Sequence, residues 1–271
     1  MPQPSPPVHS PPAETLARVE IVLCQTSMAE NIGAAARAMK TMGLSRLVLV
    51  APRVDRAAID DKARAVATHA AELLDSARIV DSVQAAVADS VSVWATSARV
   101  RSLALPLVDG RTAAAEILRR AGSLADDPAG RISILFGAER TGLTNEELGV
   151  ADHLLALHAN PAYPVLNLAQ AVQLVAYELF HAAQAPEPAE SGGEPPARRA
   201  ELATLCARLE AALAERGYFP GADAVETDRH ARRLMHRIGV MLNRAEPRRD
   251  ELQILQGMLT ALDRPRRDGA D

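Results

Sequence analysis

The sequence predicts an α/β body built on a mostly parallel sheet, followed by a small all-helical domain. Three observations predict it. Short β-branched runs alternate with helix-period segments through the first two thirds of the chain, the pattern of strands joined by crossover helices. A break rich in proline and glycine (Pro186, Pro188, Gly192, Gly193, Pro195 and Pro196) reads as a linker. Beyond it no strand signal recurs, and the residues are those of helices.

The elements follow in order. Prolines at positions 2, 4, 6, 7, 11 and 12 fix φ and remove donors, so residues 1–15 read as a disordered tail. The body spans 16–183. Within it Val19–Cys24 reads as a strand, Ala29–Met42 as a helix, and Leu47–Val50 and Ser90–Ala95 as strands. Arg131–Phe136 and Leu154–Leu157 are further strands. Asn167–Phe180 is a helix, because Leu168, Ala171, Val172, Val175 and Leu179 form one apolar stripe. Residues 184–196 are the linker. The segment 197–262 holds three helices, over Glu201–Arg216, Asp228–Leu242 and Asp250–Leu262, and 263–271 is a second disordered tail.

Composition narrows the function. The chain has 271 residues, 48% hydrophobic and 24% charged, an ordinary globular balance. Its net charge of -4 gives no whole-chain sign of a nucleic-acid partner, though a local patch can still supply one. The two cysteines, Cys24 and Cys206, lie too far apart in sequence to form a disulfide framework or a metal cluster alone, which points to a reducing, cytoplasmic compartment. No apolar run approaches the ~18 residues a membrane span needs, and the first residues lack the marks of a signal peptide. No G-x-G-x-x-G follows the first strand, and neither a P-loop nor a G-x-S-x-G elbow is present. The histidines form no H-x-x-x-H pair. His153 and His158, at odd spacing about one strand, read as surface or strand-end residues rather than ligands. No metal is expected, and no membrane.

Three constellations carry chemistry. The first, Asn31-Ile32-Gly33-Ala34-Ala35-Ala36-Arg37, opens the helix after the first strand. Asn31 suits a cap or a hydrogen bond near the helix start, Gly33 permits close approach of backbone or ligand, and Arg37 lies one turn further along the same face. The second, Phe136-Gly137-Ala138-Glu139-Arg140-Thr141-Gly142-Leu143-Thr144-Asn145-Glu146-Glu147, runs from a buried strand through a glycine-flanked loop into a helix capped by Thr144 with Glu147. Nothing structural in such a turn demands the Glu139 carboxylate. The third, Ala159-Asn160-Pro161-Ala162-Tyr163-Pro164-Val165-Leu166-Asn167-Leu168-Ala169-Gln170, is a proline-stiffened loop running into the last helix of the body, which Asn167 opens. In parallel sheets ligands gather at the carboxyl ends of strands, where these loops fall.

In order and context the three resemble the signature motifs of the SpoU/TrmH (SPOUT) class of knotted RNA methyltransferases, over about residues 19–182. Ala38–Leu44, Thr96–Arg99, Gly142–Leu148 and Ala159–Tyr163 are most similar to the TrmJ branch. The resemblance implies a trefoil knot near the end of the body and a homodimer. It implies transfer of a methyl group from S-adenosyl-L-methionine to a tRNA ribose 2′-hydroxyl, at nucleotide 32 of the anticodon loop. It implies that Thr96, Ser97 and Ala98 form one donor-binding loop, that Gly137 lies under the donor with Leu157 close by, and that Pro164, Val165 and Leu166 close the pocket. One departure stands out: the family's third motif usually reads Ser-Leu-Asn, where this chain has Val165-Leu166-Asn167. A hydroxyl that positions the ribose is then missing, or only the backbone matters there and valine costs little. The competing readings are a methyltransferase of ribosomal RNA and a catalytically weak RNA-binding member of the fold.

The resemblance assigns catalysis to Arg37, with Asn31 positioning the ribose. A guanidinium, with pKa above about 12, is a poor base, so its physical role is to hold a phosphate or the developing alkoxide. Glu139 orients that arginine or takes a proton through water. Seven arginines lie between Arg229 and Arg249, interrupted by one acid, Glu246. Arg229, Arg232, Arg233 and Arg237 share a helical face and form a candidate RNA-binding stripe.

Overall fold

The computed structural model describes residues 13–96, 105–124, 127–184, 194–221 and 223–263. Seven strands form one parallel sheet: β1 (Val19–Cys24), β2 (Arg46–Val50), β3 (Arg78–Val80), β4 (Ser90–Thr96), β5 (Leu107–Asp109), β6 (Arg131–Phe136) and β7 (His153–Ala156), in the order β3-β2-β1-β6-β4-β7-β5. The central strands β1, β6 and β4 are buried on both faces, so most of their residues are apolar, with Glu20, Ser90, Ser92 and Ser133 buried among them. Successive side chains of β1 feed opposite faces. Ile21 and Leu23 join one apolar cluster, Val22 and Cys24 the other. β3 and β5 are three-residue edge strands with exposed residues, which is why no apolar run announced them.

Three longer helices build the first face: α1 (Ala29–Thr41), α2 (Gly110–Gly122) and α3 (Leu168–Ala182). α3 packs against both others. α2 escaped the sequence reading, although Asp109 accepts hydrogen bonds at its start and Ala113, Ala114, Ile117, Leu118 and Ala121 are buried along it. Gly33 does allow a close approach, and the approaching group is protein: a Cβ there would lie 2.0 Å from the Ala63 carbonyl oxygen. Residues 13–15, expected in the tail, belong with Leu16 to a helical turn, Ala13–Leu16. Leu16 is buried in the core, which is reason enough for the turn to form. Residues 1–12 and 264–271 lie outside the described residues.

β7 lies between β4 and β5, so residues 97–106 join two parallel strands that flank a third inserted later in the chain. The trefoil knot that the resemblance implies fits this order.

The C-terminal helices are α4 (Arg199–Glu215), α5 (Ala224–Ala245) and α6 (Arg249–Asp263). They bury their own small clusters, Leu202, Leu205, Leu252 and Leu259 in one and Phe219, Ala231 and Met235 in the other. Buried charge fastens them to the body. Asp152, fully buried, accepts from the Val93 N–H at 2.8 Å and pairs with Arg199. Asp127 holds Arg198 and Arg249, and Arg120 pairs with Glu246. His153, expected at the surface or at a strand end, is the first residue of β7 and is stacked on Trp94 at 4.3 Å beside Glu246, while His158 is exposed. Asp152, His153 and Glu246 bring ligand-type atoms within 4.8 Å of one another, but Arg199 and Arg120 already meet both carboxylates.

This junction gives a pH dependence. Burial, opposed by Arg199, pushes the Asp152 carboxyl up to about 6. The folded chain therefore keeps a proton that the unfolded chain loses near pH 4. This contribution to stability is full below about pH 4 and is lost as pH rises through about 6. We expect the melting temperature of wild type minus that of Asp152→Asn to fall between pH 4 and 6. A difference that stays level across that window would contradict the assignment.

Candidate active site

The carboxyl ends of β4, β6 and β7 open into one cavity of about 180 Å³. Its wall combines the last residues of β4 and β6 (Thr96 and Phe136), the loop from Gly137 to Leu143, Leu155 and Leu157 around the end of β7, and Pro164, Val165 and Leu166 before α3. Seven residues singled out from the sequence therefore meet here: Thr96, Gly137, Glu139, Leu157, Pro164, Val165 and Leu166. Ser97 and Ala98 lie outside the described residues.

Local chemistry explains the walls. The loop after β6 folds back on itself, with the Gly142 N–H donating to the Ala138 carbonyl at 2.9 Å. This fold needs glycine at 137, where a Cβ would stand 2.2 Å from both the Gly142 carbonyl carbon and the Leu143 nitrogen. Thr144 then caps the short helix Asn145–Leu148, with Glu147 closing the box. The Thr96 hydroxyl donates to the Leu135 carbonyl at 2.9 Å, tying β4 to β6 at the cleft floor. Asn167 caps α3 by accepting from the Ala169 and Gln170 N–H groups.

One hydrogen-bonded chain joins all three constellations. The Asn167 side-chain amide donates to Asn31 Oδ1 at 3.1 Å, and Asn31 Nδ2 donates to Glu139 Oε1 at 3.0 Å. Glu139 Oε2 accepts from the Ser27 N–H at 3.1 Å and the Ser27 hydroxyl at 2.9 Å. Asn31 lies in the first turn of α1 and takes the second of the two roles expected of it, hydrogen bonding near the helix start rather than capping; its side chain is spent on this chain. Glu139 orients Asn31 rather than Arg37. Burial raises the Glu139 pKa, but the bonds from Asn31 and Ser27 outweigh it and hold the carboxyl below its ordinary value. It is an ionised anchor and a weak base.

Arg37 is exposed on α1, and its side chain makes no ion pair or hydrogen bond with a described residue. Neither Arg37 nor Asn31 lines the cavity. Arg37 stands six residues beyond Asn31, about 9 Å along the helix and on a different face.

The sequence reading missed Ser27, which the position just after β1, at the carboxyl edge of the sheet, could have flagged. It also missed the brace below: Arg53 donates to Gln25 Oε1 at 2.5 Å, and Gln25 Nε2 donates to Glu147 Oε1 at 3.0 Å. Gln25 holds a left-handed φ of 51° to make that link.

The cavity has an apolar floor and a rim of backbone and polar groups, the construction of a slot for a flat heterocycle with polar edges. Residues 18–177, more than half of the chain, match the SpoU rRNA Methylase family. The chain belongs to the SpoU rRNA methylase family. This family placement makes it an RNA methyltransferase of the SPOUT fold. Residues 200–271 match a second family, the C-terminal domain of the tRNA methyltransferase TrmJ. The chain is 37% identical over 259 residues to the tRNA (cytidine/uridine-2′-O-)-methyltransferase TrmJ of Cronobacter sakazakii, covering 93% of this chain and 99% of that one. It is similar to the crystal structure of TrmJ from Z. mobilis, at 33% identity with a TM-score of 0.74, covering 90% and 99% of the two chains. It is also similar to a probable methyltransferase from Bordetella pertussis, at 40% identity with a TM-score of 0.58, covering 63% and 99%. Within the SpoU family, then, the chain belongs with the TrmJ branch, body and helical extension together.

Proposed function

We propose that this protein is a tRNA ribose 2′-O-methyltransferase that uses S-adenosyl-L-methionine and acts on nucleotide 32 of the anticodon loop. One observation carries the reading: the Glu139–Asn31–Asn167 chain locks the three motif loops around a single cleft at the carboxyl edge of the sheet. The names of the TrmJ relatives support tRNA as the substrate.

The residues present fit the donor. Phe136, Leu155, Leu157 and Leu168 offer an apolar bed for an adenine ring, and the backbone of 164–166 offers polar groups at its edge. When bound, S-adenosyl-L-methionine supplies a methyl group activated by its sulfonium. The chain's own residues do the rest. Gly137 and Leu157 shape the slot, with Thr96 at its β4 side; the family resemblance adds Ser97 and Ala98 to the donor-binding residues. Pro164, Val165 and Leu166 close the opposite wall. Glu139 and Asn167 fix Asn31, which holds the three loops together around the place the ribose must reach. Arg37 presents its guanidinium to the phosphate or to the alkoxide as it forms.

Arg37 stands outside the cleft of its own chain, so the working unit is a homodimer in which a second copy completes the site. Exposed Leu174 and Tyr177 on α3 supply apolar surface for that contact. The working compartment is the cytoplasm. No described helix is long and apolar enough to cross a membrane, and both cysteines are free thiols. No metal takes part in this scheme.

Arg229, Arg233 and Arg237 are exposed on α5 and make no ion pair with a described residue, whereas Arg232 pairs with Asp228. Of the same cluster, Arg248 donates to the Glu194 carbonyl at the surface and Arg249 turns inward to Asp127. The RNA stripe is therefore Arg229, Arg232, Arg233 and Arg237. Deleting the extension would strip Asp152 of Arg199, so substitution is the cleaner test. Changing Arg229, Arg233 and Arg237 to glutamine should weaken tRNA binding and lower the log–log salt slope by about 2–3, at roughly 0.7–0.9 for each phosphate no longer neutralised. Donor binding should stay the same. An unchanged slope would remove the stripe from the account.

Mapping methylated riboses in separate pools of bulk tRNA and ribosomal RNA after incubation with enzyme and donor tests the assignment. Modification confined to nucleotide 32 is expected. Methylation only in ribosomal RNA, or at another tRNA position, would overturn it.

A further inference from the structure

The chain has few aromatic residues, three each of tyrosine and phenylalanine and one tryptophan. Most have structural employment. Trp94 and Phe136 are fully buried, and Tyr218 packs edge-on against Phe219 in the helical extension. Tyr177 lies on α3 near His181. Tyr163 is different. It is 78% exposed and has no ring partner among the described residues, yet it sits next to Pro164, where the cleft wall begins.

Its position is built. Asn160 Oδ1 accepts from the Ala162 N–H at 3.0 Å, and the Asn160 carbonyl accepts from the Tyr163 N–H at 2.8 Å. Pro161 and Pro164 fix φ on either side. Such a turn fixes the backbone that carries the ring, one residue from the cleft wall, and so lowers the ordering cost on binding. An exposed ring gains nothing for folding there.

A ribose that reaches this cleft brings its base to the rim. In a single-stranded loop the bases can be unstacked, and proteins restore stacking to them with an aromatic face. We propose that the Tyr163 ring is a stacking platform for a nucleobase of the substrate RNA loop, setting the strand's approach to the cleft. The inference rests on the proposed function and adds a base-binding subsite to it.

The test varies tRNA at saturating donor for wild type and for Tyr163→Phe, Tyr163→Trp and Tyr163→Ala. Donor affinity comes from calorimetry and assembled mass from light scattering. Tyr163→Ala should raise KM for tRNA roughly 5- to 100-fold, the range that loss of one base–aromatic stack gives. Its donor affinity and mass should match wild type. Phenylalanine and tryptophan should keep KM within about threefold, since both keep the ring. An unchanged KM in the alanine variant would overturn the platform. So would an equal loss in the phenylalanine variant, which would mean that the hydroxyl matters, or a fall in assembled mass, which would mean that the ring serves a protein contact. A wild-type enzyme with no transfer to tRNA defeats the proposed function instead. In that case, quenching of a fluorescent base analogue in an anticodon stem–loop, abolished in Tyr163→Ala, still reports on the platform.

Discussion

Gly137→Ala should abolish S-adenosyl-L-methionine binding in a protein that still folds. The added methyl would stand 2.2 Å from two backbone atoms of the same loop, the Gly142 carbonyl carbon and the Leu143 nitrogen. Backbone cannot rotate away as a flexible side chain can, so the loop must open. Opening breaks the Ala138–Gly142 bridge and draws Glu139 away from Asn31 and Ser27. Overpacking of this kind costs about 1–3 kcal/mol or more. Here the cost falls on the wall of the cleft rather than on the central core. Donor affinity measured by calorimetry should drop by about 100-fold or more, with circular dichroism unchanged. Normal affinity would mean that the donor does not lie against this loop.

Arg37→Ala is the counterpart, expected to spare binding and remove chemistry. The side chain is exposed and unpaired among the described residues, so its loss leaves no buried charge behind. A guanidinium that meets developing charge only in the transition state acts on kcat, and removing such a group costs roughly 10²- to 10³-fold. We expect that loss in single-turnover methyl transfer, with donor affinity within about twofold of wild type. Arg37→Lys should recover only part of it, because the ammonium keeps the charge and lacks the planar fork. Equal loss of donor binding and transfer in Arg37→Ala would make the residue structural.

The two variants also separate what the sequence made legible from what it did not. The glycine-flanked loop, the Thr144 and Asn167 caps and the five longer strands are local features, written in contiguous residues. Their meeting at one cleft follows from parallel topology, since the loops leave the same edge of the sheet. The pairing within the cleft was not legible. Glu139 reaches Asn31 across 108 positions, and no spacing rule selects Asn31 over Arg37 as its partner. The docking of the extension was hidden for the same reason. Arg249 reads as a member of a basic run, and nothing local marks Arg198 or Arg199, but each meets a buried carboxylate of the body. β3 and β5 were too short and too exposed to show a pattern, and the knot rests on resemblance alone.

The central claim is that this cleft delivers a methyl group to a ribose 2′-oxygen of tRNA. The most direct measurement incubates the protein with methyl-labelled S-adenosyl-L-methionine and tRNA, digests the RNA to nucleosides and asks where the label sits. The account predicts 2′-O-methylated cytidine or uridine. Label on a nucleobase, or no label from a protein that binds the donor saturably, would contradict it.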